Sequence, residues 1–252
     1  MSEGTQSSPD ANHIPPEESH DPIQFPRTLA LHVSNVSVGR ETRRVDGGDG
    51  TYTTERAHSF LVEPHGHPGR YAISTVWFLS GHPDLILHDG LSRTSPHMAS
   101  TVTTLGIADV CILLPPIREG GPQSQEVVSV PPAKPEKNRV YRFEIEVPSK
   151  GSQDMVREKF EWRKGSGAYS KQLGNGKGWE LVRMGGGSQG GGLMTHDGKE
   201  VVGACKRTRF HIRGGDRNLG FLCLGSGQTE LGSRWALMAF MSSLCIFQHR
   251  YA

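Results

Sequence analysis

Between Trp235 and Phe247 only Ser242 and Ser243 are polar, and this stretch constrains the chain more than any other. A helix that is apolar on every side must be surrounded by something apolar, either lipid or the protein's own interior. Length separates the two. Thirteen residues rise roughly 20 Å as an α-helix, whereas a bilayer core is about 30 Å thick and asks for about 20 apolar residues. The expectation is a core helix over about 234–248. Ser233 or Thr229 would cap its start, and Arg250, with His249 when protonated, would place positive charge just past its end. Met238 and Met241, three residues apart, then fill core rather than bind a ligand.

The rest of the chain offers the enclosure. Alternation begins at 29–33 and is clearest at 141–147, where Tyr141, Phe143, Ile145 and Val147 share one strand face and Arg142, Glu144 and Glu146 the other. Further strands are expected at 51–62, 71–80, 85–88, 100–107, 110–114, 126–130, 155–164, 179–184, 199–206, 207–213 and 219–224. Turn-forming runs at 46–50, 64–69, 89–90 and 115–116, and a stiff proline connector at 131–135, separate them. Residues 185–192 are glycine except Ser188 and Gln189 and read as a loop insert. About a dozen short strands followed by one enclosed helix indicate a mainly β fold, an antiparallel closed barrel of about twelve strands around a hydrophobic C-terminal α-helix.

Ahead of the strands, residues 1–26 carry Glu3, Asp10, Glu17, Glu18 and Asp21, no Lys or Arg, and little to bury. They are expected to be a disordered acidic tail on a single domain over 27–252. Without those five acids, 28 basic residues stand against 21 acidic ones, so the domain is mildly basic at +7 and permits anionic partners. The tail lacks the basic and apolar regions of a secretory signal. The four cysteines form no C-x-x-C pair, and Cys111, Cys223 and Cys245 lie inside apolar runs, as buried thiols do in a reducing compartment. An intracellular, cytoplasmic chain, peripheral at most to a membrane, is the expectation.

The segments 159–163 (KFEWR), 178–183 (GWELVR), 198–202 (GKEVV), 221–227 (FLCLGSG) and 230–238 (ELGSRWALM) give the chain a family likeness. Strands, a glycine turn and an enclosed terminal helix, in that order, resemble the tubby C-terminal-like family of tubby, phospholipid scramblases and LURP-one-type proteins. The resemblance covers 139–252 well and 27–130 only in general character. It implies a twelve-stranded barrel around a hydrophobic helix and an association with membrane lipid. It supplies no catalytic residue, and neither phosphoinositide-binding positions nor a scramblase calcium segment can be matched.

Chemistry sought in the residues is sparse. His65 and His67 form an H-x-H on a glycine-proline loop, with His82 and His88 further along, but no third ligand stands at a fixed spacing, so no metal site is expected. Residues 46–50 lack the full calcium-loop spacing and read as a hairpin turn. Residues 174–178 lack the P-loop order. No G-x-S-x-G occurs, and no Ser or Cys stands beside a His in a nucleophile context. Neither an enzyme nor a cofactor is expected.

One pattern points to binding. Across 207–213 alternation puts Arg207, Arg209, His211 and Arg213 on one strand face, with Lys206 just before them. Guanidinium groups bind phosphate bidentately, so this face suits an anionic headgroup such as a phosphoinositide. The plainer alternative is a solvated outer face that balances Glu144 and Glu146, or similar acids, across the sheet. Lys159 and Arg163 would extend the patch if their strand lay alongside. A second functional expectation is a structural scaffold whose acidic tail recruits a protein partner. Nucleic acid is set aside, since a pI of 8.4 falls below the usual basic footprint and no recognition helix is visible.

Overall fold

The alternating run at 141–147 is a strand, one of fourteen among the residues that the computed structural model describes. These are 25–27, 31–35, 42–47, 51–56, 58–64, 70–77, 83–103, 109–117, 121–129, 139–152, 154–165, 173, 178–185, 193–209 and 217–248. The first half contains β1 (Leu31–Asn35), β2 (Thr42–Gly47), β3 (Thr51–Arg56), β4 (His58–Pro64), β5 (Tyr71–Trp77), β6 (Pro83–His88), β7 (His97–Thr103), β8 (Val110–Leu114) and β9 (Ser124–Val128). The second contains β10 (Tyr141–Pro148), β11 (Met155–Lys164), β12 (Trp179–Arg183), β13 (Val201–Arg209), β14 (Arg217–Cys223), α1 (Ser226–Thr229) and α2 (Gly232–Gln248).

Twelve strands form one antiparallel sheet in the order β10-β11-β12-β13-β14-β1-β4-β5-β6-β7-β8-β9, and β2 and β3 form a separate hairpin. Only β1–β4 and β14–β1 join strands that are not chain neighbours within this order. The end strands meet at one antiparallel bridge. There the Ser129 N–H donates to the Arg142 carbonyl at 2.8 Å and the Arg142 N–H to the Ser129 carbonyl at 3.1 Å.

Period two explains which side chains turn inward. Tyr141, Phe143, Ile145 and Val147 are buried on β10, and Phe143 lies opposite Phe160 of β11 with ring centroids 5.4 Å apart. The inward face of the sheet meets α2, whose residues 233–246 are all buried. Trp235 packs on Phe160, and Phe240 packs on Phe221 of β14 and on Phe25. The helix also touches β7, β8 and β10, so strands from both ends of the sheet's order lie against it. The two serines in its middle are satisfied within the core. The Ser242 and Ser243 hydroxyls donate to the carbonyls of Ala239 and Phe240, and the Trp162 indole N–H donates to Ser242 Oγ at 2.8 Å. Among the described residues no helix is long and apolar enough to cross a membrane.

Several expectations shift. The helix starts at Gly232, where φ is +82°, so Ser233 lies in its first turn, and Thr229 ends the separate short α1 instead of capping α2. Residues 51–62 divide into β3 and β4, which belong to different sheets. The two strands expected at 199–206 and 207–213 are one strand, β13, because ladder bonds come from the backbone and run unbroken through Lys206 opposite Gly220 and Arg207 opposite Leu219. Packing begins ahead of the expected boundary, since Phe25 is buried against Tyr71 and Phe240. A smaller cluster of Leu173, Val201, Ala204, Leu222 and Leu224 covers the far face of β13 and β14. Cys205, Cys223 and Cys245 are buried free thiols, whereas Cys111 is half-buried and its sulfur accepts from Gln125 Nε2. Burial pushes the Cys223 and Cys245 thiols up to about 12.

Replacing Ser242 by Ala would strand the Trp162 indole N–H in the apolar interior. The expected loss is about 1–3 kcal/mol of unfolding free energy, read as a lower urea midpoint at unchanged slope.

Candidate functional site

The basic strand expected to form a site falls at the end of the β13–β14 hairpin. Arg207 and Arg209 occupy β13, opposite Leu219 and Arg217 of β14. His211 and Arg213 lie outside the described residues. Lys206, expected to accompany the arginines, is instead buried at 3% exposure, where loss of solvent lowers its pKa.

The patch does not extend to Lys159 and Arg163. Strand β12 separates β11 from β13. Lys159 Nζ is 3.2 Å from Glu144, and Arg163 pairs with Glu161 and Asp197 at 2.8 and 2.9 Å. Nor does Glu144 balance the arginines of β13, because it lies three strands away and is engaged by Arg157 and Lys159 of β11. Across β10–β12 the cations are matched locally: Arg142 meets Glu161 at 2.7 Å, and Arg183 grips Glu158 with two bonds of 2.5 and 2.6 Å. The hydrogen bonds that Arg183 donates to Glu158, then the charges of Glu158, Glu200 and Glu230, outweigh burial and raise the Arg183 pKa. Glu200 in turn accepts the Ser226 N–H and hydroxyl, both at 2.9 Å, at the start of α1.

Two polar groupings escaped the sequence reading. The first lies where β9 and β10 meet. Glu126 shares the inward parity of Val128, and its side chain is 4% exposed. Arg157, half-exposed on β11, reaches one carboxylate oxygen at 2.7 Å and the Glu144 carbonyl at 3.3 Å. Arg234 of α2, 8% exposed, reaches the other at 3.5 Å and donates to Ser124 Oγ. A carboxylate sharing the parity of Val128 at the end of a short strand was the available signal. Its partner on the helix was not readable.

The second grouping is Ser74 on β5, His88 at the end of β6 and the carbonyl of Ser95. Ser74 Oγ is 2.8 Å from His88 Nε2, and His88 Nδ1 is 3.1 Å from the Ser95 oxygen. A carbonyl only accepts, so Nδ1 carries the proton and the Ser74 hydroxyl donates to Nε2. This is the geometry of a serine with a positioned base. Serine and histidine are 5% and 2% exposed, however, and the connection that supplies the Ser95 carbonyl covers them. In this closed arrangement the pair ties a loop to the sheet. Its members stand fourteen residues apart and meet only through the β5–β6 register, which pairs Ser74 with Ile86 and Ala72 with His88.

Among the described residues no group of three or more His, Cys, Asp or Glu is placed to hold a metal ion. His65, His67 and His82 lie outside them. The chain matches no family model, no curated protein and no solved structure.

The pair at the β9–β10 meeting has a measurable signature. Arg234→Met leaves a buried carboxylate with one half-exposed partner and is expected to cost about 3–5 kcal/mol. The double variant Arg234→Met with Glu126→Leu should recover most of that loss in urea unfolding. Arg157→Ala should cost under about 1 kcal/mol, because water screens its half-exposed guanidinium.

Proposed function

We propose that the chain is a non-enzymatic β-barrel module, closed at the β9–β10 seam around α2, that binds an anionic membrane lipid headgroup at the β13–β14 hairpin end. The twelve-strand order, the Ser129–Arg142 bridge between the end strands and the burial of α2 support the barrel. The order of elements supports the likeness to the tubby-like family, and with it the lipid reading.

The observation that carries the binding reading is the register that sets Arg209 directly opposite Arg217. Like charges opposed across a ladder are unfavourable by themselves. Residues 206–217 hold five Lys and Arg against the single Asp216. Helix α2 runs from its contact with β9 at Arg234 to Ser242 beside Trp162, the same direction in which β13 runs to Arg209. Its C-terminus therefore points toward the hairpin end. A helix C-terminus offers only about half a negative charge, far less than the excess of positive charge in the hairpin. A phosphate with several ionised oxygens would offset the rest, and guanidinium groups are suited to hold it.

Sedimentation with vesicles tests this. Vesicles containing phosphoinositide should bring the chain down, and vesicles of neutral phosphatidylcholine should not. Replacing Arg207, Arg209 and Arg213 together by Ala should lower the bound fraction at least tenfold at equal ionic strength, while removing residues 1–24 should leave it unchanged. Equal sedimentation with both vesicles, or a triple variant that binds like the parent, defeats the proposal.

A further inference from the structure

Strand β6 ends in His88, and the connection that follows folds back over it. The Asp89 N–H donates to the Pro96 carbonyl at 2.8 Å, the Ser95 N–H to the Ser92 carbonyl at 3.0 Å, and the Ser92 hydroxyl caps the Thr94 N–H at 3.2 Å. Gly90 fits beneath Ser95 at φ +142°, where a Cβ would collide with the serine side chain. At the centre of this closure the His88 ring is held from both sides, by Ser74 of β5 and by Ser95 of the connection. The connection also carries Leu91, 59% exposed.

We propose that His88 is a pH-sensitive latch: the neutral ring pins residues 89–96 to β5 through the Ser74–His88–Ser95 hydrogen bonds, and protonation loosens that connection. For the neutral ring the arrangement has one consistent proton pattern, with Nδ1 donating and Nε2 accepting. A proton on Nε2 turns the acceptor into a donor, so the Ser74 hydroxyl must swing its own hydrogen away into a buried surround. The new charge also sits at a ring only 2% exposed. Charged and titratable neighbours among the described residues are Asp89 and Arg93 on the connection, His97 on β7, and Arg70 and Tyr71 at the start of β5. The His97 ring stands edge-on to His88 with centroids 5.0 Å apart.

Burial first holds the His88 imidazole below its ordinary 6.5; the hydrogen bond to the Ser95 carbonyl opposes it in part, and the electrostatic effects of His97 and then Arg93 lower it further. The sign follows. A histidine whose pKa is lower in the closed form than in the open one favours closure fully above pH 6.5. That preference is lost as pH falls below 6.5 through the lowered value. Each unit of lowering is worth about tenfold in the ratio of closed to open.

The test follows His88 and its loop together in the full chain, by NMR titration of the imidazole and by amide hydrogen exchange at residues 89–95 corrected for intrinsic rates. The expected result is a His88 midpoint below 6.5 and a several-fold loss of protection across that midpoint. His88→Gln keeps a donor and an acceptor but takes no proton, so its protection should not change with pH. Ser74→Ala removes the donor that favours the neutral ring and should move the His88 midpoint upward. His97→Gln should keep the pH dependence. Constant protection while His88 titrates, a His88→Gln chain that opens with acid like the parent, or loss of the dependence in His97→Gln would overturn the latch. If His88→Gln does not fold, Ser74→Ala decides, and an unmoved midpoint sinks the proposal.

Discussion

Everything in this structure answers to a helix with no polar side. Helix α2 supplies its own backbone hydrogen bonds, so its surroundings need only be apolar and continuous. A flat sheet covers one face of a helix. Burying residues 233–246 without exception requires strands on several sides, and the contacts with β7, β8, β10 and β14 provide them. The inward parity of those strands is therefore fixed by the helix, because a slip of one residue would turn every inward side chain out. Trp162 and Ser242 show how the two are matched, since the indole N–H of β11 meets a hydroxyl on the facing turn.

The end strands of a sheet carry unpaired backbone groups. Here β9 and β10 are joined by a single bridge at Ser129 and Arg142. Beyond the bridge a side chain takes over. Glu126 accepts from a guanidinium on the helix and from one on β11, linking three elements at the place where the ladder stops. Two charges out of water seldom add net stability over a well-packed apolar alternative. They do specify position, because a carboxylate on the inward face is tolerated only where its partner waits. The Glu126–Arg234 pair thus sets how the helix is rotated and how far it is inserted relative to β9.

What could be read from residues alone was whatever depends on local period. Alternation at 141–147 located β10 and its inward face, and unbroken apolarity located α2 to within two residues. Boundaries set by long-range pairing were not legible. Nothing local tells β3 from β4, yet one pairs with β2 and the other with β1 and β5. Nor does a run of charges end a strand, as β13 shows at Lys206 and Arg207. Strand order decided the fate of the basic patch. Lys159 and Arg163 share a parity that could have joined the arginines of β13, but β12 intervenes and local acids take them. The juxtaposition of Arg209 with Arg217 and the meeting of Ser74 with His88 are likewise properties of register.

The helix also decides where function can reside. Small barrels that hold a ligand inside keep an open interior. The inward face of this sheet is occupied by α2, whose side chains from Trp235 to Phe240 are 0% exposed. Under the binding reading proposed above, recognition would fall to hairpin ends, connections and outward strand faces, which can carry charge without disturbing the core. On the outward face of β10–β12 that charge is already neutralised by neighbours. The hairpin of β13 and β14 stands apart by composition, because its end carries arginines in opposed ladder positions and a single nearby acid in sequence.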